Sequence, residues 1–149
     1  MLRNRKILII FLIAILSSGV LAGCSAGGDQ NHPANINMTP LDEMPAEVQS
    51  APVVVQQAYQ FAAANPDVLE EIPCYCGCGA MGHTSNYACY IAGANTDGSL
   101  NYDAHALGCS ICVDITQDTM RLLKQGQSLP EIRAYVDENY AKFGPSNIP

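Results

Sequence analysis

Positive charge is what this chain has least of. Of 149 residues only seven are Lys or Arg, and three of those, Arg3, Arg5 and Lys6, fall at the very start. From residue 24 onward four basic side chains therefore face all fourteen Asp and Glu, a net charge of −10 with histidine neutral. Such a balance repels phosphate backbones and anionic headgroups, which excludes nucleic-acid binding. Length is scarce too: 149 residues, 48% of them hydrophobic, make one small domain and leave no room for a two-domain enzyme. Beyond the first two dozen positions there is no run of 20 apolar residues, and no internal repeat. No nucleophile, base and oxyanion-binding set stands out, so the residues point to binding more than to hydrolysis. Cysteine is the opposite case, with six of seven packed between Cys74 and Cys112.

The start of the chain has the make-up of an export signal. Arg3-Asn4-Arg5-Lys6 precedes ten apolar residues, Ile7 to Leu16, too few to span a bilayer as a lasting helix. Leu21-Ala22-Gly23-Cys24 then resembles the bacterial lipobox, in which the cysteine is acylated and becomes the new N-terminus. The expected organisation is a signal peptide over 1–23, a lipidated Cys24 with a flexible tether over 24–44, and a Cys-rich domain over 45–149. That domain would be lipid-anchored at the cell membrane on its outer, extracytoplasmic side, with the membrane as its first partner. Oxidants there make disulfides available to the other six cysteines.

Helical spacing marks the domain at both ends. Ser50 as N-cap and Pro52 in the first turn open a helix to Ala64, with Val54, Ala58 and Phe61 on one face, flanked by Val55, Tyr59 and Ala62. Asn65-Pro66-Asp67 repeats the start signal for a short helix over 68–72, which Pro73 ends. Spacing returns at Ile111, Ile115, Leu122 and Leu123, ending at Gly126 as C′. Ser128-Leu129-Pro130-Glu131 is a capping box that opens a last helix with Ile132, Val136 and Phe143 on one face, stopped by Gly144-Pro145. Between them, residues 73–104 are rich in Gly and Asn and read as loop, with one apolar stretch, Tyr87 to Ala92, and room for one short hairpin. The expected fold is mainly α, a small three- to four-helix domain with a long Cys-rich loop. Such a loop needs cross-links to keep one shape.

Cysteine chemistry supplies them. Cys74, Cys76 and Cys78 stand at i, i+2 and i+4, where glycine at 77 and 79 lets the backbone bend so that all three converge. A disulfide between cysteines two apart closes a strained ring, so this spacing suits a soft metal better than a disulfide. Cys109 and Cys112 lie one turn apart if the helix has begun by Gly108, at an N-terminus whose dipole favours thiolate. With Cys89, and with His83 and His105 as further ligands, these six thiols exceed what one zinc needs and favour copper(I), which shares sulfurs between ions. The metal set is thus Cys74, Cys76, Cys78, Cys89, Cys109, Cys112, His83 and His105, with copper the first ion and zinc its alternative. A metal-donor or metal-acceptor protein would be the second partner. Two other readings stay open: a thiol–disulfide oxidoreductase using Cys109 and Cys112, and an interaction domain stabilised by zinc or disulfides. Met81 is a weaker copper contact, the other methionines and His32 read as linker or filler, and the carboxylates as solvated surface. Val113 after Cys112 excludes a CxxCH haem attachment.

Pro73 to Cys78 spells PCYCGC, followed by Gly82-His83, Cys89, His105-Ala106 and Cys109-x-x-Cys112. Over about residues 51–143 the chain resembles the bacterial lipoprotein family named for that motif, a resemblance that implies an identity and no activity. About 35 residues of the C-terminal part are also similar to the helical thiol-disulfide subunit of cytochrome c maturation. The similarity rests on a CxxC before a helix, on Gly126, Ser128, Glu131 and Ile132 in the turn, and on Tyr140 and Phe143 near the end. It implies redox chemistry for Cys109 and Cys112, although CxCxC has no counterpart there.

Overall fold

The computed structural model describes residues 36–148. The expectations placed on the leader, on Cys24, on His32 and on the tether as far as residue 35 lie outside them. The described residues are mainly α: α1 (Ala46–Gln49), α2 (Val53–Ala64), α3 (Pro66–Leu69), α4 (His105–Gly108), α5 (Ser110–Lys124) and α6 (Leu129–Tyr140), with one hairpin of β1 (Ile91–Ala94) and β2 (Leu100–Tyr102). Three helices are long enough to carry the core, and three are single turns that steer the chain.

Burial organises them around α5, which packs on α2 and on α6. Tyr59, Phe61, Leu69, Ile72, Tyr90, Ile115, Ile132 and Val136 are fully enclosed at the centre. Expected apolar spacing on α5 holds at Ile115 and Leu122, but two threonines complete the buried face, Thr116 and Thr119. Their hydroxyls donate back to the carbonyls of Cys112 (3.1 Å) and Ile115 (2.8 Å), which is how a polar side chain survives there. Gly126 closes α5 in the left-handed conformation, with Gly126 N–H on Leu123 and Gln127 N–H on Leu122, the Schellman pattern. The Ser128–Glu131 capping box of α6 forms as expected, Glu131 accepting from the Ser128 backbone at 2.8 Å.

Three local expectations give way. Ser50 does not cap α2; its hydroxyl donates to the Ala46 and Glu47 carbonyls and ends α1, because Pro45 and Pro52 divide the segment into two helices. The buried stripe of α2 is wider than the expected face and shifted at its start: Ala58 and Phe61 are enclosed with the flanking Val55, Tyr59 and Ala62, while Val54 is 51% exposed and Tyr59 meets Tyr90 edge-on at 4.9 Å. Phe143 leaves the α6 face at a 3₁₀ turn, Ala141–Phe143, and is 52% exposed; Tyr140 takes its place in the core. The last stretch of the expected tether also packs on the domain. Thr39 N–H donates to Gln60, the Gln60 amide donates back to Thr39, and Met44 is buried.

Candidate metal centre

The PCYCGC segment bends because glycine stands where the chain must turn left-handed. Gly77 (φ 84°) and Gly82 (φ 93°) bracket a 3₁₀ turn, Cys78–Met81, and fold Cys78 back toward Cys74. Gly79 plays another part than the expected bend, since a Cβ there would press on Asn147 at 3.3 Å. A second 3₁₀ turn, Tyr87–Cys89, brings in Cys89. The hairpin follows: β1 and β2 pair antiparallel with Ile91 opposite Tyr102, and Asp103 N–H extends the pairing to the Tyr90 carbonyl at 2.8 Å. That register delivers Asp103 and His105 to the cluster.

Cys109 and Cys112 arrive by a different route from the expected one. α4 stops at Gly108, Cys109 is extended (φ −120°, ψ 100°) as the N-cap position of α5, and the helix proper starts at Ser110. Cys112 thus lies in the first turn, where unpaired backbone N–H groups favour a negative sulfur. Below it a buried polar network fixes the register. Tyr90 Oη donates to the Cys112 carbonyl at 2.8 Å and lies 2.7 Å from Thr116 Oγ1, to which Asn86 Nδ2 donates at 2.8 Å.

The eight expected donors fall into overlapping close groups. Donor atoms of Cys76, His105, Cys109 and Cys112 lie within 4.8 Å of one another, as do those of Cys78, His83, Cys89 and His105; Cys74 belongs to two further triads, one with Cys76 and Cys78, one with Cys89 and Cys112. The shortest sulfur separations are 3.4 Å for Cys74–Cys112, 3.5 Å for Cys74–Cys76, and 3.6 Å for Cys76–Cys112 and Cys78–Cys89. With metal–sulfur bonds of about 2.3 Å a thiolate tetrahedron has edges of about 3.8 Å, so these groups could hold a metal ion after only small movements. Cys74, Cys78, Cys89 and Cys112 are buried, whereas Cys76, Cys109, His83 and His105 are half-buried, which leaves the cluster open on one side. Beside His83 a groove of about 730 Å³ is lined by Glu70, Met81, Tyr87 and Asp103 among others. Met81 is 59% exposed at its edge.

Charge is shared unequally among the thiols. Hydrogen bonding from Cys112, then from Cys89, holds Cys74 far below the usual thiol range, so the cluster carries its first negative charge there. Cys112 is pushed up by its bonds to Cys74 and Cys89 and by burial. Burial first, and the neighbouring Cys74 charge with it, raises Cys76 and Cys78. Two thiolates 3.5 Å apart repel by about 5 kcal/mol at an effective dielectric of 20, so a second thiolate needs a cation beside it.

Two residues of the site escaped the sequence reading. Asp103, expected among solvated carboxylates, accepts the His105 N–H at 2.7 Å through Oδ1 and faces His83 Nε2 at 3.5 Å through Oδ2. Its carbonyl also accepts the Tyr59 hydroxyl at 2.7 Å. A carboxylate on the outer nitrogen of a ligand histidine orients the ring and fixes its tautomer; its position two residues before His105 was the available signal. Asn147 has no signal at all. Its Oδ1 accepts the Cys74 N–H at 2.7 Å, its own N–H donates to the Cys74 carbonyl at 3.2 Å, and its Nδ2 donates to Cys78 Sγ at 3.6 Å.

The family model described as "Protein of unknown function with PCYCGC motif" matches residues 12–147, a longer stretch than the expected one and one that includes Asn147. No curated protein and no solved structure matches the chain. The likeness to the cytochrome c maturation subunit receives no support from these comparisons.

Proposed function

Because the chain belongs to the PCYCGC-motif family, whose description assigns no function, its role has to come from the cluster, and we propose that it binds copper(I) for delivery or sequestration outside the cytoplasmic membrane. The observation that carries this reading is the gathering of six thiols and two imidazoles, from five separate stretches of chain, into overlapping groups of three or four donors. Thiolates are soft ligands, and closely spaced ones suit a soft ion that accepts shared sulfurs. Structural zinc sites are closed and need four donors; here the supply is larger, and Cys76, Cys109 and both histidines remain reachable for exchange with a donor or acceptor protein. The deciding experiment is elemental analysis of the full chain purified anaerobically, with thiols counted before and after chelation. Bound copper is the expected result. Metal-free protein with three disulfides overturns the reading, and one tightly held zinc keeps the site but makes it structural.

Attachment through Cys24 is part of the same proposal. It is supported by the LAGC sequence behind a short apolar stretch and by a family match that begins at residue 12, so that Cys24 lies inside it. Labelled palmitate should enter the wild type and not Cys24→Ser, which should be released or left unprocessed. An unlabelled, correctly processed wild type overturns it.

Thiol–disulfide exchange by Cys109 and Cys112 is the second reading, favoured by the half-buried Cys109 at the N-cap beside buried Cys112. A redox pair leaves a mixed disulfide on Cys109 when Cys112 is replaced by Ser; bound ligands instead resist alkylation until the metal is stripped.

A further inference from the structure

Two four-membered donor groups stand out, Cys76, Cys109, Cys112 and His105, and Cys78, Cys89, His83 and His105, so they overlap at His105. The 3.4 Å approach of His105 Nε2 to Cys76 Sγ assigns that imidazole to the first set. Cys78, Cys89 and His83 remain as the second, tied by the 3.6 Å Cys78–Cys89 contact, with the His83 and His105 rings edge to face at 5.1 Å where the sets adjoin. The second set has a mark of its own. His83 Nδ1 is buried without a hydrogen-bond partner, while Nε2 faces Asp103. A buried ring nitrogen left unpaired is costly, and a ligand nitrogen whose opposite edge faces a carboxylate is the usual arrangement around a metal.

Cys74 belongs to neither set alone. It is grouped with Cys76 and Cys78 in one triad and with Cys89 and Cys112 in another, so it touches both sets. We infer that the cluster holds two soft metal ions, one on Cys76, Cys109, Cys112 and His105, the other on Cys78, Cys89 and His83, with Cys74 as the thiolate between them. This rests on the copper reading and adds to it a count and a division of ligands. Seven donors plus one shared sulfur offer the first ion up to five partners and the second up to four, and a bridging thiolate carries charge for two cations at once. Reduced thiols are the ligands, and each proton displaced on binding leaves to solvent.

Full-length protein, reduced and kept anaerobic in detergent, is titrated with Cu(I) against a colorimetric chelator, and bound copper per chain is counted by elemental analysis. Two ions are expected for the wild type. Cys109→Ser and His83→Ala should each release one of the two ions at a chelator concentration that the wild type withstands, and the double variant both. Serine is a good N-cap, so the first variant keeps the start of α5; His83→Gln serves if the alanine variant loses helical circular dichroism. Saturation at one ion, saturation at four as a single merged thiolate cluster, or loss of both ions in either single variant overturns the division while leaving the copper reading intact. A wild type that takes no copper overturns that parent reading instead.

Discussion

Asn147 reaches across 73 residues of sequence to hold the Cys74 backbone. Replacing it with alanine leaves the Cys74 N–H without its acceptor and Cys78 without its donor. An unsatisfied buried donor costs about 1–3 kcal/mol. Asn147→Ala should therefore lower the urea midpoint by a corresponding amount and lose metal to a chelator sooner than wild type. Gly144 is the second residue on which the same contact depends. Its backbone is extended, which any residue adopts, but a Cβ would lie 2.8 Å from the Tyr75 carbonyl oxygen. Gly144→Ala should cost about 1–3 kcal/mol through that overlap. Gly108→Ala, where a Cβ meets nothing within 4 Å at the end of α4, should be close to neutral in the same melts.

Elements differ in what holds them. α2, α5 and α6 bury large side chains against one another, Phe61, Ile115, Ile132 and Val136 among them, and this apolar contact is independent of sulfur. Residues 74–104 have Tyr90 and Ile91 as their large enclosed apolar groups besides Tyr75, and otherwise rest on single hydrogen bonds such as Asn86 N–H to the Ile72 carbonyl. Removing metal should raise amide exchange over 74–104 and leave α2, α5 and α6 protected. Equal protection in both forms would show that the loop keeps its shape without sulfur chemistry. Within the loop the Tyr90 hydroxyl matters most, since it fixes the Cys112 carbonyl at the head of α5. Tyr90→Phe should cost about 1 kcal/mol in a denaturant melt, because Thr116 still reaches that carbonyl.

Across the chain as a whole, the acidic balance and the shared thiol protons set the response to pH. The Cys74 thiol is lowered by its hydrogen bonds to Cys112 and Cys89, so it gives up its proton more readily than its neighbours. Cys76, Cys78 and Cys112 are raised above their ordinary values and must each lose a proton to bind. Protons released on binding make affinity rise with pH and fall as the solution is acidified. Between about pH 8 and pH 5 metal retention against a chelator whose own protonation is corrected for should fall steadily. Calorimetry in buffers of different ionisation enthalpy should count more than one proton released per chain; a count of zero would contradict the raised thiols.

Several features followed from local chemistry and needed no fold to be seen. The α6 capping box and the Gly126 stop depend on residues within a turn of each other, so Ser128, Glu131 and Gly126 were enough to place them. The eight donors were visible for a similar reason, since Cys and His in tight spacing are rarely filler. Other features were invisible because they depend on partners far along the chain. The inward turn of Tyr59 is decided by Tyr90, the burial of Thr116 by Asn86 and Tyr90, and the place of Asp103 by the hairpin register. Asn147 belongs with them, because a tail asparagine becomes part of a site only when Gly144 lets the chain pass against Tyr75. Spacing along the backbone determines which groups can converge, and packing of distant segments decides which of them share a hydrogen bond or a sulfur edge.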